Sequence, residues 1–146
     1  MSGDKNDTDP SVMQLSGRLA FQGWVSLLFW MSFGLLLETL MAYKSPGYLS
    51  DPQRRELFRL AHAHGALLGL VLVAAALWIQ RARSKVSRLA LLALRAGATV
   101  LPLGFLLAGV WHPESDPGLA IWLVPAGALS LIFALAAIAQ ASRSDA

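Results

Sequence analysis

Residues 19–43 read LAFQGWVSLLFWMSFGLLLETLMAY, a run whose only charge is Glu38. A helix needs about 20 predominantly apolar residues to cross the hydrocarbon core of a bilayer, and this run is long enough. A secretory signal would instead pair a basic start with a short apolar stretch and a small-residue cleavage site. Here the preceding residues are acidic and the run ends in Met41-Ala42-Tyr43-Lys44. It is a spanning helix.

Three further apolar runs follow. The second extends from Leu60 to Ile79, with His62 and His64 near its start. The third reaches Trp111 from about Leu89 and contains Arg95 and Pro102. The fourth extends from Gly118 to about Ala139 and contains Pro125 and Ser130. Composition agrees: 55% of the 146 residues are hydrophobic and 14% charged, against about 25% charged in a soluble domain, and mean hydropathy is +0.53. So few charges do not coat a soluble fold of this size, which argues against a soluble enzyme and against a nucleic-acid binder. The pI of about 9.8 reflects a net charge of only +3, with the basic residues flanking apolar runs as in membrane proteins. The absence of cysteine removes disulfides, thiolate metal sites and cysteine nucleophiles.

The expected fold is an all-α, integral membrane, antiparallel four-helix bundle with short loops. Residues 1–17, with Asp4, Lys5, Asp7, Asp9 and Pro10 and little apolar surface, read as a disordered polar tail. Residues 18–142 form a single transmembrane domain and 143–146 a short tail. Asp51-Pro52 and Asp116-Pro117 each offer an N-cap oxygen followed by a proline at the first helical position. They predict that the fourth helix starts at Pro117 and the second near Pro52, with Gln53 to Arg59 as an amphipathic lead-in at the membrane surface. Ser45-Pro46-Gly47 is the turn before it.

Lysine and arginine counts orient the chain. Seven lie in the N-terminal tail, the second-to-third loop and the C-terminus, and four in the first loop and the third. The richer side is cytoplasmic by the positive-inside rule, so both termini are expected inside a bacterial plasma (inner) membrane. Trp24 and Trp78 fall at one interface and Tyr43, Tyr48, Trp111 and Trp122 at the other, while Trp30 lies mid-span and is assigned to packing.

Antiparallel threading brings Glu38, His62, His64, His112 and Glu114 to one side, the extracytoplasmic one, and leaves Arg95 toward the opposite face. A carboxylate at membrane depth costs roughly 2.5 to 3.5 kcal/mol on insertion scales and usually faces a bundle interior or water. Glu38 lies six residues before Lys44, about 9 Å below that end at ~1.5 Å per residue. It shares a stripe with Gly23, Leu27 and Gly34, glycines being a mark of close helix approach. Glu38 is either a proton-carrying or cation-binding carboxylate or one satisfied by a neighbouring histidine, lysine or backbone group. His62 and His64, two residues apart, point about 200° apart on a helix and do not chelate one ion there. His62 shares the close-packing stripe of Gly65, Gly69, Leu72 and Val73 and is assigned to the interior; for each histidine the alternative is a bond to a backbone carbonyl.

The candidate metal ligands are therefore Glu38, His62, His64 and His112. No cofactor is specified: haem, which needs imidazoles from two helices, would require His112 with His62 or His64, and a transition metal would use Glu38 and the histidines. Arg95 either snorkels back to the headgroups or pairs an anionic lipid or ligand. Phosphate-cradling, H-E-x-x-H and G-x-S-x-G motifs are absent, so an enzyme is the weakest expectation. The leading function is a binding or assembly subunit with a polar Glu/His cluster taking a proton, metal or small cofactor. The alternative is an oligomeric small transporter or channel using Glu38 as its coupling carboxylate. Expected partners are the lipid bilayer and other membrane subunits or further copies of the chain, with no nucleic acid.

Overall fold

Asp51 places its Oδ1 2.9 Å from the Arg54 backbone N–H, one turn on, and Pro52 occupies the first helical position. The expected device thus starts the second long helix where the sequence puts it. The computed structural model describes residues 10–82, 86–111 and 116–144. Its elements are α1 (Pro10–Ala42), α2 (Pro46–Leu49), α3 (Pro52–Ala82), α4 (Arg88–Val110), a 3-10 turn (Leu119–Trp122) and α5 (Leu123–Ser144). Four helices, α1, α3, α4 and the last with its 3-10 turn, are long and apolar enough to cross a membrane. They pack as an all-α antiparallel bundle, and no strand occurs among the described residues.

α1 starts inside the segment read as a polar tail. Residues 1–9 lie outside the described residues, but Pro10 to Gly17 are helical. Val12 and Leu15 are buried at 7% and 6% exposure, and Ser16 fully. Val12, Leu15 and Leu19 recur at three and four residues, which is one helical face, and that sparse stripe was masked by the polar residues between them. At its other end α1 closes with Lys44 at φ 51°. Ser45 N–H donates to the Leu40 carbonyl at 3.0 Å and Lys44 N–H to that of Met41 at 3.1 Å, a Schellman cap with a lysine where glycine is usual. Ser45-Pro46-Gly47 opens not a bare turn but the single turn of α2. It buries Tyr48 to 4% exposure, so Tyr48 packs instead of joining the interfacial aromatic belt, whereas Tyr43 stands 83% exposed.

α4 is capped by Ser87, whose Oγ accepts from the Ala90 N–H at 3.2 Å. The Asp116-Pro117 pair does not cap α5. Asp116 Oδ1 accepts from the Gly118 N–H at 2.8 Å, and Gly118 sits at φ 70°, a left-handed conformation that interrupts a helix. The chain then makes a 3-10 turn, and Pro125 falls in the first turn of α5, where a missing N–H costs no helical bond. Arg143 and Ser144 still belong to α5.

The helices lie in the order α1, α3, α4, α5. α1 packs most closely on α3, α3 on α4 and α4 on α5; among the described residues α5 approaches neither α1 nor α3. Leu19, Leu72, Ile79, Leu91 and Leu94 are fully buried, and all lie in the half of the bundle that holds the start of α1, the end of α3 and the start of α4. In the other half α1 buries only Trp30 and Leu37. Along α1 the bundle is therefore tight at one end and open at the other, although α3 and α4 stay packed there through Ala61, Pro102 and Ala108.

Candidate functional site

The open end begins where α1 crosses α3. Gly34 lies so close to the His62 ring, and Gly65 to the Trp30 ring, that a Cβ at either glycine would overlap the aromatic atoms. The two helices thus interlock a glycine and a ring from each side. Further along, Gly23 meets the Gly69 carbonyl and Val73, and Ser26 Oγ donates to the Gly65 carbonyl at 3.2 Å. The glycine stripes of the first and second spans therefore face each other. Trp30, 4% exposed, packs edge-on against Phe29 and Phe33 at 4.8 and 5.7 Å between ring centres, the packing role expected from its mid-span position.

Docking of the ring on Gly34 fixes His62. Its Nδ1 lies 2.7 Å from the Trp30 carbonyl, which can only accept, so Nδ1 carries the proton and Nε2 is the acceptor nitrogen of the neutral ring. His64 turns the other way: Nδ1 donates to the Leu60 carbonyl at 2.8 Å and the ring lies 5.2 Å from that of Phe105 on α4. The divergence expected from their spacing is what the helix produces, and it separates His64 from the set drawn around Glu38 and His62. His112 and Glu114 lie outside the described residues. Among the described residues no group of three or more His, Cys, Asp or Glu side chains is placed to hold a metal ion.

Glu38 stands one turn beyond Gly34 on α1. It is exposed and lines, with His62, Tyr48, Glu56 and Arg59, a groove of about 740 Å³ between α1 and α3. Met31, Leu35, Met41 and Leu60 supply its apolar wall. Arg59 and Glu56 form an exposed ion pair at 3.9 Å, while Glu38 has neither an ion pair nor a hydrogen bond among the described residues. From Arg18 to Glu38 the rise is about 30 Å at ~1.5 Å per residue, the thickness of the hydrocarbon core, so a span entering at Arg18 leaves it near Glu38. Chemically the groove offers one free carboxylate, an imidazole with an acceptor nitrogen, and an apolar floor. Tyr48, Glu56 and Arg59 had no place in the sequence-based cluster. The signal was there: Glu56, Arg59 and His62 recur every third residue, on one side of α3.

Arg95 lies on the opposite half. Its Nε donates to Gln22 Oε1 at 2.7 Å. Gln22 Nε2 in turn donates to Thr99 Oγ1 at 2.9 Å and to the Arg95 carbonyl at 3.1 Å. Gln22, a lone amide in the first apolar run, is the partner that the sequence reading passed over. The chain matches no family model, no curated protein and no solved structure.

Proposed function

We propose that this multi-pass membrane protein is a small binding or assembly subunit whose α1–α3 groove takes a cationic ligand: a metal ion, or the positively charged or hydrogen-donating end of a small cofactor. The observation that carries this is Glu38, a carboxylate unpaired among the described residues at the edge of the apolar layer, lining the same groove as the oriented imidazole of His62. At that edge the carboxylate borders both the apolar layer and water, a position from which it can meet a cation without the full cost of a charge at the bilayer centre. A cation would satisfy the carboxylate and accept the His62 Nε2 lone pair, while the methionines and leucines hold an apolar body. The excess of lysine and arginine in the termini and the second-to-third loop together supports a cytoplasmic placement of both termini, with the groove toward the extracytoplasmic face.

The test is to release and identify what the detergent-purified protein holds, by elemental analysis and mass spectrometry of the denatured supernatant. A metal or small molecule near one equivalent per chain is expected, lost in Glu38→Gln and reduced in His62→Gln. Equal content in wild type and Glu38→Gln overturns the proposal.

The exposure of Glu38 also favours a second reading, in which copies of the chain surround a shared path and Glu38 is its coupling carboxylate. Liposomes containing the protein would then move protons or monovalent cations, and Glu38→Gln would stop the flux. Equal flux through the variant removes this reading.

A further inference from the structure

A second, separate site lies at the tight end, between α1 and α4. Arg18 and Arg95 line one cleft of about 580 Å³, whose walls are otherwise mostly apolar, with Phe21, Val25, Leu92 and Ala96. Arg95 engages its Nε with Gln22, and no further partner of its guanidinium is found among the described residues. Arg18 has no hydrogen bond or ion pair among them. Gln22 and Thr99 hold the backbone side of Arg95 and fix where its head emerges. The sequence offered two roles for this arginine, and the geometry bears on the choice. An arginine that merely snorkels needs no second cation beside it, whereas here two arginines line one opening.

The cleft does not end at the arginines. Gln22, Val25 and Thr99 also line a neighbouring hollow of about 240 Å³, which continues between the same helices past Phe29 to Trp30 and Leu103. From Arg18 to Trp30 the rise is about 18 Å at ~1.5 Å per residue, close to the ~15 Å depth of one hydrocarbon leaflet. The seam thus has a mouth lined by two cations, Arg18 just outside the first apolar run and Arg95 within the third, and an apolar lane running inward for the depth of a leaflet. We infer that it is a binding site for an anionic phospholipid, with the phosphate between Arg18 and Arg95 and an acyl chain lying in the lane toward Trp30. Guanidinium groups suit phosphate because their paired N–H donors match two phosphate oxygens. The charge balance of the mouth selects an anionic lipid over a zwitterionic one, and the lane distinguishes a lipid from a free anion. Arg81 and Arg88 flank the same end of the bundle, where the surface potential of an anionic leaflet adds to the attraction.

The experiment is native mass spectrometry of the full chain in detergent, titrated with phosphatidylglycerol and, separately, with phosphatidylcholine of the same acyl chains. Phosphatidylglycerol is expected to be retained at least about fivefold better, and Arg18→Gln to cut that preference about fivefold, as one basic residue near an anionic surface contributes. Arg18 is exposed and unpartnered among the described residues, so this variant leaves the packing intact, and Arg18→Lys is expected to keep most of the preference. Ala96→Trp, at an exposed wall position, fills the cleft without changing its charge and is expected to lower phosphatidylglycerol retention as well. Equal retention of the two lipids by the wild type overturns the proposal. So does retention of inorganic phosphate alone with displacement of phosphatidylglycerol by it, because the site would then be one for a free anion.

Discussion

The bundle gathers polar side chains in two places, one toward each end, and the two are built differently. At the tight end Gln22, Arg95 and Thr99 close a ring of hydrogen bonds between α1 and α4. At the open end Glu38 and His62 face a groove, and only the imidazole is held, by the Trp30 carbonyl. A polar group that finds its partners inside the protein contributes to folding. One left without a partner contributes nothing to folding and is kept for another reason. By that criterion Gln22 serves the fold and Glu38 is the residue proposed to serve function, although from residue type alone the charge of Glu38 and the neutrality of Gln22 say little about which is which.

The comparison breaks or sharpens by substitution. The largest effect is expected for Gly34→Leu, since the new side chain collides with the His62 ring that positions both helices. Overpacking of this kind costs about 3 kcal/mol, read as a lower midpoint of unfolding in detergent, with loss of whatever the groove holds. Gln22→Leu comes next. It strips partners from Arg95 and Thr99, and about 2 kcal/mol of stability is expected to go with them, while the content of the α1–α3 groove stays unchanged. An unaltered unfolding midpoint in this variant would show that the ring of hydrogen bonds contributes nothing to folding. Glu38→Gln is expected to be the mildest, within about 0.5 kcal/mol of wild type because no partner is lost, yet it is the one that empties the groove. A marked loss of stability there would mean that the carboxylate has an internal partner after all, and the contrast between the two ends would collapse.

The spans were legible because membrane thickness imposes a length on any helix that crosses it. The start of α3 was legible because its cap is local to Asp51 and Pro52. The facing stripes of Gly23 and Gly34 with Gly65 and Gly69 followed from periodicity, and so did the parting of His62 from His64. What escaped depends on contacts distant in sequence. Val12 and Leu15 look like tail residues until α3 and α4 are placed beside them. Tyr48 looks interfacial until α2 folds it inward. The fourth helix was placed too early because Asp-Pro reads the same at residues 51 and 116, and only the left-handed Gly118 distinguishes them. Half of the candidate site was visible, as Glu38 and His62. Its other wall, with Glu56 and Arg59, was read as surface lead-in because the groove exists only once α1 and α3 cross.

Because α5 rests on α4 alone among the described residues, the groove owes it no wall. Glu38 and Tyr48 have both been synthesised before α3 begins, and Glu56, Arg59 and His62 come from the first three turns of α3. Every residue that lines the groove therefore precedes α4 and α5 in the chain. A ligand bound there as proposed would touch no residue of α4 or α5.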